Sequence, residues 1–181
     1  LRARGENPRE GFFSGYLHDP EATEAAWAGG WLHTGDIMRQ DPDGRLYFVD
    51  RKKNIIRRSG ENIAAAEVEA VIAAVAGVKQ VVVLAALDQL RGEEVFAVVV
   101  AEDDARDTVA EAIFSACADR LAYYKVPGLF LMTESLPTTS TQKVQRQSLR
   151  ELAENPFGDP GCVDWRQRKQ ALRHAEERKG G

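Results

Sequence analysis

Apolar positions along this chain change period several times, and each change marks an element. Ile37-Met38-Arg39-Gln40 and Arg45-Leu46-Tyr47-Phe48-Val49 read as two strands. Between them Asp41-Pro42-Asp43-Gly44 supplies proline where a turn wants a fixed φ and glycine where it wants a positive one, which predicts a hairpin. Val68, Val71, Ile72 and Val75 recur at three-four spacing, so Ala64 to Val75 is expected to be a helix with one apolar face. Its start is half-capped: acidic Glu67 and Glu69 suit the first turn, but Ala64 stands where a capping box wants Ser or Thr. Val78 to Ala86 and Glu94 to Ala101 are nearly continuous in apolar character and predict strands buried on both faces.

A second helix is expected from Thr108, as cap with Glu111 as its partner, presenting Val109, Ala112, Ile113, Ala116, Cys117 and Leu121 on one side. Leu129 to Met132 follows the Pro127-Gly128 break as a short strand. Thr138 to Gln142 reads as a loop and Gln147 to Ala153 as a short helix. Pro20 to Trp27 could form another, and the opening Leu1 to Gly5 reads as the end of a strand cut from its sheet. The order β-α-β-β-α-β-α predicts a small α+β domain with helices packed on a mixed sheet.

Composition narrows the functional classes. A chain of 181 residues with 44% hydrophobic and 29% charged residues suits an ordinary folded domain. A net charge of -4 gives no electrostatic footprint for nucleic acid. No apolar run approaches the roughly 20 residues that span a bilayer, and no secretory segment opens the chain, so the cytoplasm is the expected compartment. Cys117 and Cys162 lack metal-ligand spacing and form no disulfide framework, and the three histidines are scattered; no metal site is expected. After Asp50 the texture changes: five of the eight residues from Arg51 to Arg58 are basic, and a domain boundary is expected there. Beyond Asn155 the chain turns to Pro, Gly and Asp and then to a charged run from Arg166 to Lys179, read as a polar tail.

Some residues could carry chemistry. Asp36 closes a tight Thr34-Gly35-Asp36 corner, where a carboxylate can accept hydrogen bonds from a vicinal diol. Arg51, at a strand end, is either a surface charge or a forked donor to hydroxyls and phosphate. Gly60 can let backbone approach a ligand closely, or merely supply a positive φ before the helix. Lys143, on a polar loop, has the reach and compact charge to offset repulsion between two anions in a water-poor site.

Four runs set these residues in order: Gly30-Trp31-Leu32-His33-Thr34-Gly35-Asp36, Val49-Asp50-Arg51-Lys52-Lys53, Gly60-Glu61-Asn62-Ile63, and Leu136-Pro137-Thr138-Thr139-Ser140-Thr141-Gln142-Lys143. Their order and separation closely resemble the last third of the adenylate-forming acyl-CoA synthetases, a superfamily shared with peptide-synthetase adenylation domains and luciferases. The likeness covers roughly residues 10–155. It implies that residues 1–50 are the C-terminal end of a truncated larger adenylation domain, 51–155 a small mobile C-terminal lid domain, and 156–181 a polar tail.

The resemblance also implies roles. Asp36 and Arg51 would hold the ribose of ATP, and Lys53 would be the hinge about which the lid swings. Arg57, Gly60 and Glu61 would line the channel for the pantetheine arm of CoA, with Arg57 at a place often held by lysine. Lys143 would be the catalytic lysine. Two departures stand out: Gln142 replaces the usual glycine before that lysine, and Thr138 replaces a common lysine after the proline. The Thr-Gln-Lys-Val-Gln string resembles carnitine- and aryl-type ligases.

The implied parent enzyme is an AMP-forming acid–thiol ligase. It takes a carboxylic acid, ATP with Mg²⁺ (whose ligands would lie outside this segment) and CoA, and the segment alone is expected to be inactive. Two alternatives remain open: an adenylation domain that loads a carrier-protein phosphopantetheine, and a non-catalytic binding module of the same fold. The phosphate loop and acyl pocket of the family have no counterpart in these residues, so the acid is not readable.

Overall fold

The computed structural model describes residues 1–3, 6–103 and 106–179. The chain divides into two compact units, Leu1–Lys53 and Asn54–Gly181.

The first unit begins with irregular backbone. Leu32 N–H donates to Leu1 O at 2.7 Å, and the Leu1 amino group donates to Leu32 O at 2.9 Å. That is a single pairing and not the strand end expected for Leu1 to Gly5; Arg4 and Gly5 lie outside the described residues. Helix α1 (Pro20–Ala26) starts where Asp19 accepts from Ala22 N–H at 2.9 Å, with proline in its first turn. Strands β1 (Asp36–Gln40) and β2 (Leu46–Arg51) form the expected antiparallel hairpin, with Asp36 opposite Arg51 and Gln40 opposite Leu46. Its turn closes where Gly44 N–H donates to Asp41 O at 3.0 Å.

The second unit is a mixed sheet with elements on both faces. Strands β3 (Ile55–Arg58) and β4 (Glu61–Ala64) make a hairpin that the basic composition of residues 51–58 concealed. Its two-residue turn puts both Ser59 (φ 50) and Gly60 (φ 89) in the left-handed region, the geometry that matches strand twist. Helix α2 (Ala65–Ala73) follows at once, and Ala64 caps it without a side-chain hydrogen bond, as the missing Ser or Thr implies. Strands β5 (Val78–Asp88) and β6 (Gly92–Ala101) pair antiparallel along their length. Helix α3 (Arg106–Arg120) then crosses over to β7 (Leu129–Thr133), which runs parallel to β6. Helical backbone already runs at Arg106, so Thr108 sits inside the first turn and is not the expected cap.

Alternation along the central strands builds two cores. Val95, Ala97, Val99 and Ala101 face α2 and α3 beside Val68, Ile72, Ile113 and Cys117. Phe96, Val98 and Val100 face the other way, with Leu129, Leu131, Leu136 and Leu149. The near-continuous apolar run of β6 is therefore a strand covered on both sides. Burial pushes the Cys117 thiol up to about 12, which makes it an inert packing group.

Residues 156–179, within the segment expected as a polar tail, carry further elements of this unit. Helix α4 (Arg150–Glu154) leads to β8 (Val163–Asp164), which pairs with β7, and then to α5 (Arg166–Lys179). Trp165 stacks on Phe130 with ring centroids 4.5 Å apart and meets Phe114 edge-on at 5.3 Å. Trp165, Lys169 and Leu172 turn to the core at four- and three-residue spacing. A lysine in the middle of that stripe is what made it read as solvated.

Candidate functional site

In the first unit the hairpin register brings two of the candidate residues together. Asp36 and Arg51 are opposite each other at the strand ends, and Arg51 Nε lies 2.8 Å from Asp36 Oδ1. The corner before Asp36 is fixed by its own backbone: Asp36 N–H donates to Thr34 Oγ1 at 3.1 Å, and Lys52 N–H donates to Gly35 O at 2.7 Å. Arg51 Nη1 donates to Thr34 O at 3.3 Å. Asp36 Oδ1 is shielded from solvent, yet no donor meets it in hydrogen-bond alignment among the described residues. The ion pair is therefore close but skewed, and Arg51 would have to shift for a hydroxyl to reach that oxygen. Beneath it Asp50, 3% exposed, accepts from Arg51 N–H at 2.7 Å and fixes the direction of the strand end.

Lys53 is exposed in the short 3-10 turn Lys52–Asn54 and is the last residue of the first unit.

In the second unit the β3–β4 turn carries Arg57, Gly60 and Glu61, all exposed. A Cβ built on Gly60 would meet nothing within 4 Å, so the glycine is required by its φ of 89° and not by crowding. Arg57 donates its backbone N–H to Glu93 Oε2, which ties the strand to the start of β6 and leaves the guanidinium outward.

Lys143 stands beside the turn of a small hairpin. Thr138 and Val144 form a bridge, Thr139 N–H donates to Lys143 O at 2.8 Å, and Lys143 N–H donates to Thr139 Oγ1 at 3.1 Å. Gln142 N–H closes the turn on Thr139 O at 2.9 Å, with Gln142 itself at φ 61°. The position before the lysine thus needs a left-handed residue, a conformation that glycine adopts without strain. The side chain of Lys143 is exposed, with no hydrogen bond or ion pair to the described residues. Its loop is fixed while its ammonium is free.

Charged groups that the sequence did not single out support this unit. Arg58 Nε lies 2.9 Å from both Glu94 oxygens, and Lys169 Nζ lies 2.5 Å from Glu94 Oε1. All three are buried. An acid in an otherwise apolar strand was the available signal for Glu94. Arg146 and Glu69 meet at the outer edge of β5.

Among the described residues, no three His, Cys, Asp or Glu side chains come together in a way that could hold a metal ion. No helix among them is long and apolar enough to cross a membrane.

Residues 67–143 match the AMP-binding enzyme C-terminal domain family. The chain is 41% identical over 136 residues to the long-chain-fatty-acid–CoA ligase FadD13 of Mycobacterium tuberculosis, covering 75% of this chain and 27% of that protein. It is 38% identical over 145 residues to the crotonobetaine/carnitine–CoA ligase of Salmonella typhimurium, covering 79% of this chain and 28% of that one. Among solved structures, the o-succinylbenzoate CoA synthetase MenE of Bacillus subtilis, in complex with its acyl-adenylate intermediate, superposes with a TM-score of 0.69 at 34% identity, covering 76% of this chain and 28% of that one. The chain thus spans a little over a quarter of each of these relatives, and their names carry different acids.

Proposed function

We propose, from the match of residues 67–143 to the AMP-binding enzyme C-terminal domain family, that the chain is the C-terminal segment of an ATP-dependent acyl-CoA ligase. The observation that carries the reading is the free ammonium of Lys143 on an anchored hairpin.

In the first half-reaction a carboxylate oxygen attacks the α-phosphorus of ATP. The C–O–P linkage forms, the bond to the β-phosphate breaks, and pyrophosphate leaves. Two anions must meet, and negative charge grows on the phosphoryl oxygens. Lys143 offsets that charge where water is scarce, and Asp36 with Arg51 takes the ribose. In the second half-reaction the CoA thiol, losing its proton, attacks the acyl carbon; a thioester forms and AMP departs.

The β3–β4 turn, with Arg57, Gly60 and Glu61 exposed, would then line the thiol's approach. One lid can serve both steps only if it moves, and Lys53 at the end of the first unit is the proposed pivot. Magnesium would arrive with ATP, and no metal-holding cluster exists for it among the described residues.

Acid-dependent ATP–pyrophosphate exchange in the full-length enzyme tests the reading. Lys143→Ala should lower the exchange rate by at least 100-fold, in the range of a removed charge-stabilising group. Unchanged exchange would sink the assignment. Lys53→Pro should slow thioester formation from preformed adenylate far more than exchange, and equal loss in both would argue against the pivot.

A further inference from the structure

Lys143 is three residues from Arg146, and Arg146 reaches across the edge of the sheet. β5 is an outer strand, paired with β6 on one side and, among the described residues, with no strand on the other. Val83, on β5 opposite Ala97, turns its backbone N–H and C=O to that open side. Glu69, on α2, accepts from Val83 N–H at 2.8 Å through Oε1. Arg146 donates from Nη1 to Val83 O at 2.7 Å, and from Nη2 to the same Glu69 Oε1. One guanidinium thus closes a ring with one carboxylate and both backbone groups of one residue. The two side chains are 28% and 21% exposed, enough shelter for the pair to outlast a surface contact.

The location gives this ring its consequence. The Lys143 hairpin sits on the face built from Val82, Leu84 and Leu136, with Val144 and Leu149 packed there. Glu69 belongs to the helix on the opposite face, beside Val68 and Ile72. Apolar packing holds the hairpin down but lacks direction, so it permits a sliding shift. The Arg146 fork adds direction, because its planar donors fit only one placement relative to Val83 and Glu69.

We propose that Arg146, with Glu69, is a positioning residue that fixes the Lys143 hairpin to the edge of β5, so that the lysine is presented in one register for adenylate formation. The inference rests on the ligase reading for its effect on catalysis, but not for the clasp itself.

Two measurements test it. In the 181-residue chain, a lysine-specific protease should cut after Lys143 on the order of tenfold faster in Arg146→Gln than in wild type, reflecting easier local opening. Cutting after Lys79, exposed at the irregular start of β5 and away from the clasp, should keep its wild-type rate. Glu69→Gln, which retains an acceptor for Val83, is the milder variant should Arg146→Gln fail to fold. Equal rates after Lys143 in the folded variants and wild type would overturn the clasp.

In the full-length enzyme, Arg146→Gln should lower the maximal rate of ATP–pyrophosphate exchange about tenfold at saturating substrates. Thioester formation from supplied acyl-adenylate should stay within about twofold, and Arg146→Lys should restore only part of the loss, since an ammonium lacks the fork. Equal loss in both half-reactions would overturn the positioning role. The protease experiment needs no nucleotide, so it decides the clasp even where Lys143→Ala overturns the ligase reading.

Discussion

Lys169 Nζ stands 2.5 Å from Glu94 Oε1, with one side chain 1% and the other 0% exposed. Glu94 also holds Arg58, so one carboxylate faces two cations. Loss of hydration pushes Lys169 down to about 8; Glu94 opposes this, while Arg58 and the more distant Arg91 act in the same direction as burial. When Lys169 is neutral, Arg58 and Glu94 balance each other. Between pH 8 and 10.5 the unfolded chain holds a proton that the folded chain has released. Stability from this group is therefore lowest below pH 8 and rises to pH 10.5. The difference in urea midpoint between wild type and Lys169→Met should shift towards wild type over that window; a constant difference would reject the assignment.

Glu94→Gln should behave quite differently. It leaves Arg58 and Lys169 buried together with no carboxylate between them, and breaking a buried pair in this way destabilises by about 3–5 kcal/mol. Chemical denaturation at pH 7 checks it, and a loss below about 1 kcal/mol would mean that water reaches the cluster.

Gly128 guards the same cluster. A Cβ there would lie 2.5–2.8 Å from Glu94 side-chain atoms, which are pinned by Arg58 and Lys169 and cannot step aside cheaply. Gly128 also donates to Val95 O at 2.9 Å and accepts from Trp165 N–H at 2.8 Å, so its backbone is held on both sides. Gly128→Ala should cost about 1–3 kcal/mol as an overpacking change. A thermal scan showing no loss would contradict this crowding.

The sequence revealed most where periodicity and side-chain chemistry agreed. The β1–β2 hairpin, α2 and the paired β5 and β6 were legible because apolar spacing and turn residues pointed the same way. β3 was hidden because its two isoleucines sit in a run of basic residues, and Arg58 is buried through a partner 36 residues away. α5 was hidden because Lys169 occupies a core position that a periodic reading gives to an apolar residue. Long-range charge pairing leaves no local signature, so the Glu94 cluster and the Arg146–Glu69 ring became visible only in three dimensions. Asp36 and Arg51 were legible through their motif, but their apposition required the strand register.

Gln142 occupies the left-handed region at φ 61° in the turn beside Lys143. A side chain there is strained by roughly 1–2 kcal/mol relative to glycine. Some of that gain is offset by the greater freedom of glycine in the unfolded chain. Gln142→Gly should therefore stabilise the second unit by about 0.5–1 kcal/mol, read as a higher urea midpoint at unchanged slope. A destabilised variant would show that the Gln142 side chain does work in the turn that its backbone conformation does not reveal.

Asp36 offers the sharpest separation between structure and function. Its partner Arg51 is 54% exposed and Asp36 25%, and the pair is skewed from hydrogen-bond alignment. Pairs this wet contribute about 0–1 kcal/mol, so Asp36→Ala should leave the unfolding midpoint of the chain nearly unchanged. If the carboxylate holds ribose hydroxyls, the same variant should raise KM for ATP on the order of tenfold or more in the full-length enzyme, since a charged hydrogen bond contributes about 1.5–3 kcal/mol. KM for the acid should move little, because the acid does not touch the ribose. A large stability loss with an unaltered KM for ATP would make Asp36 a hairpin clamp and remove it from the nucleotide site.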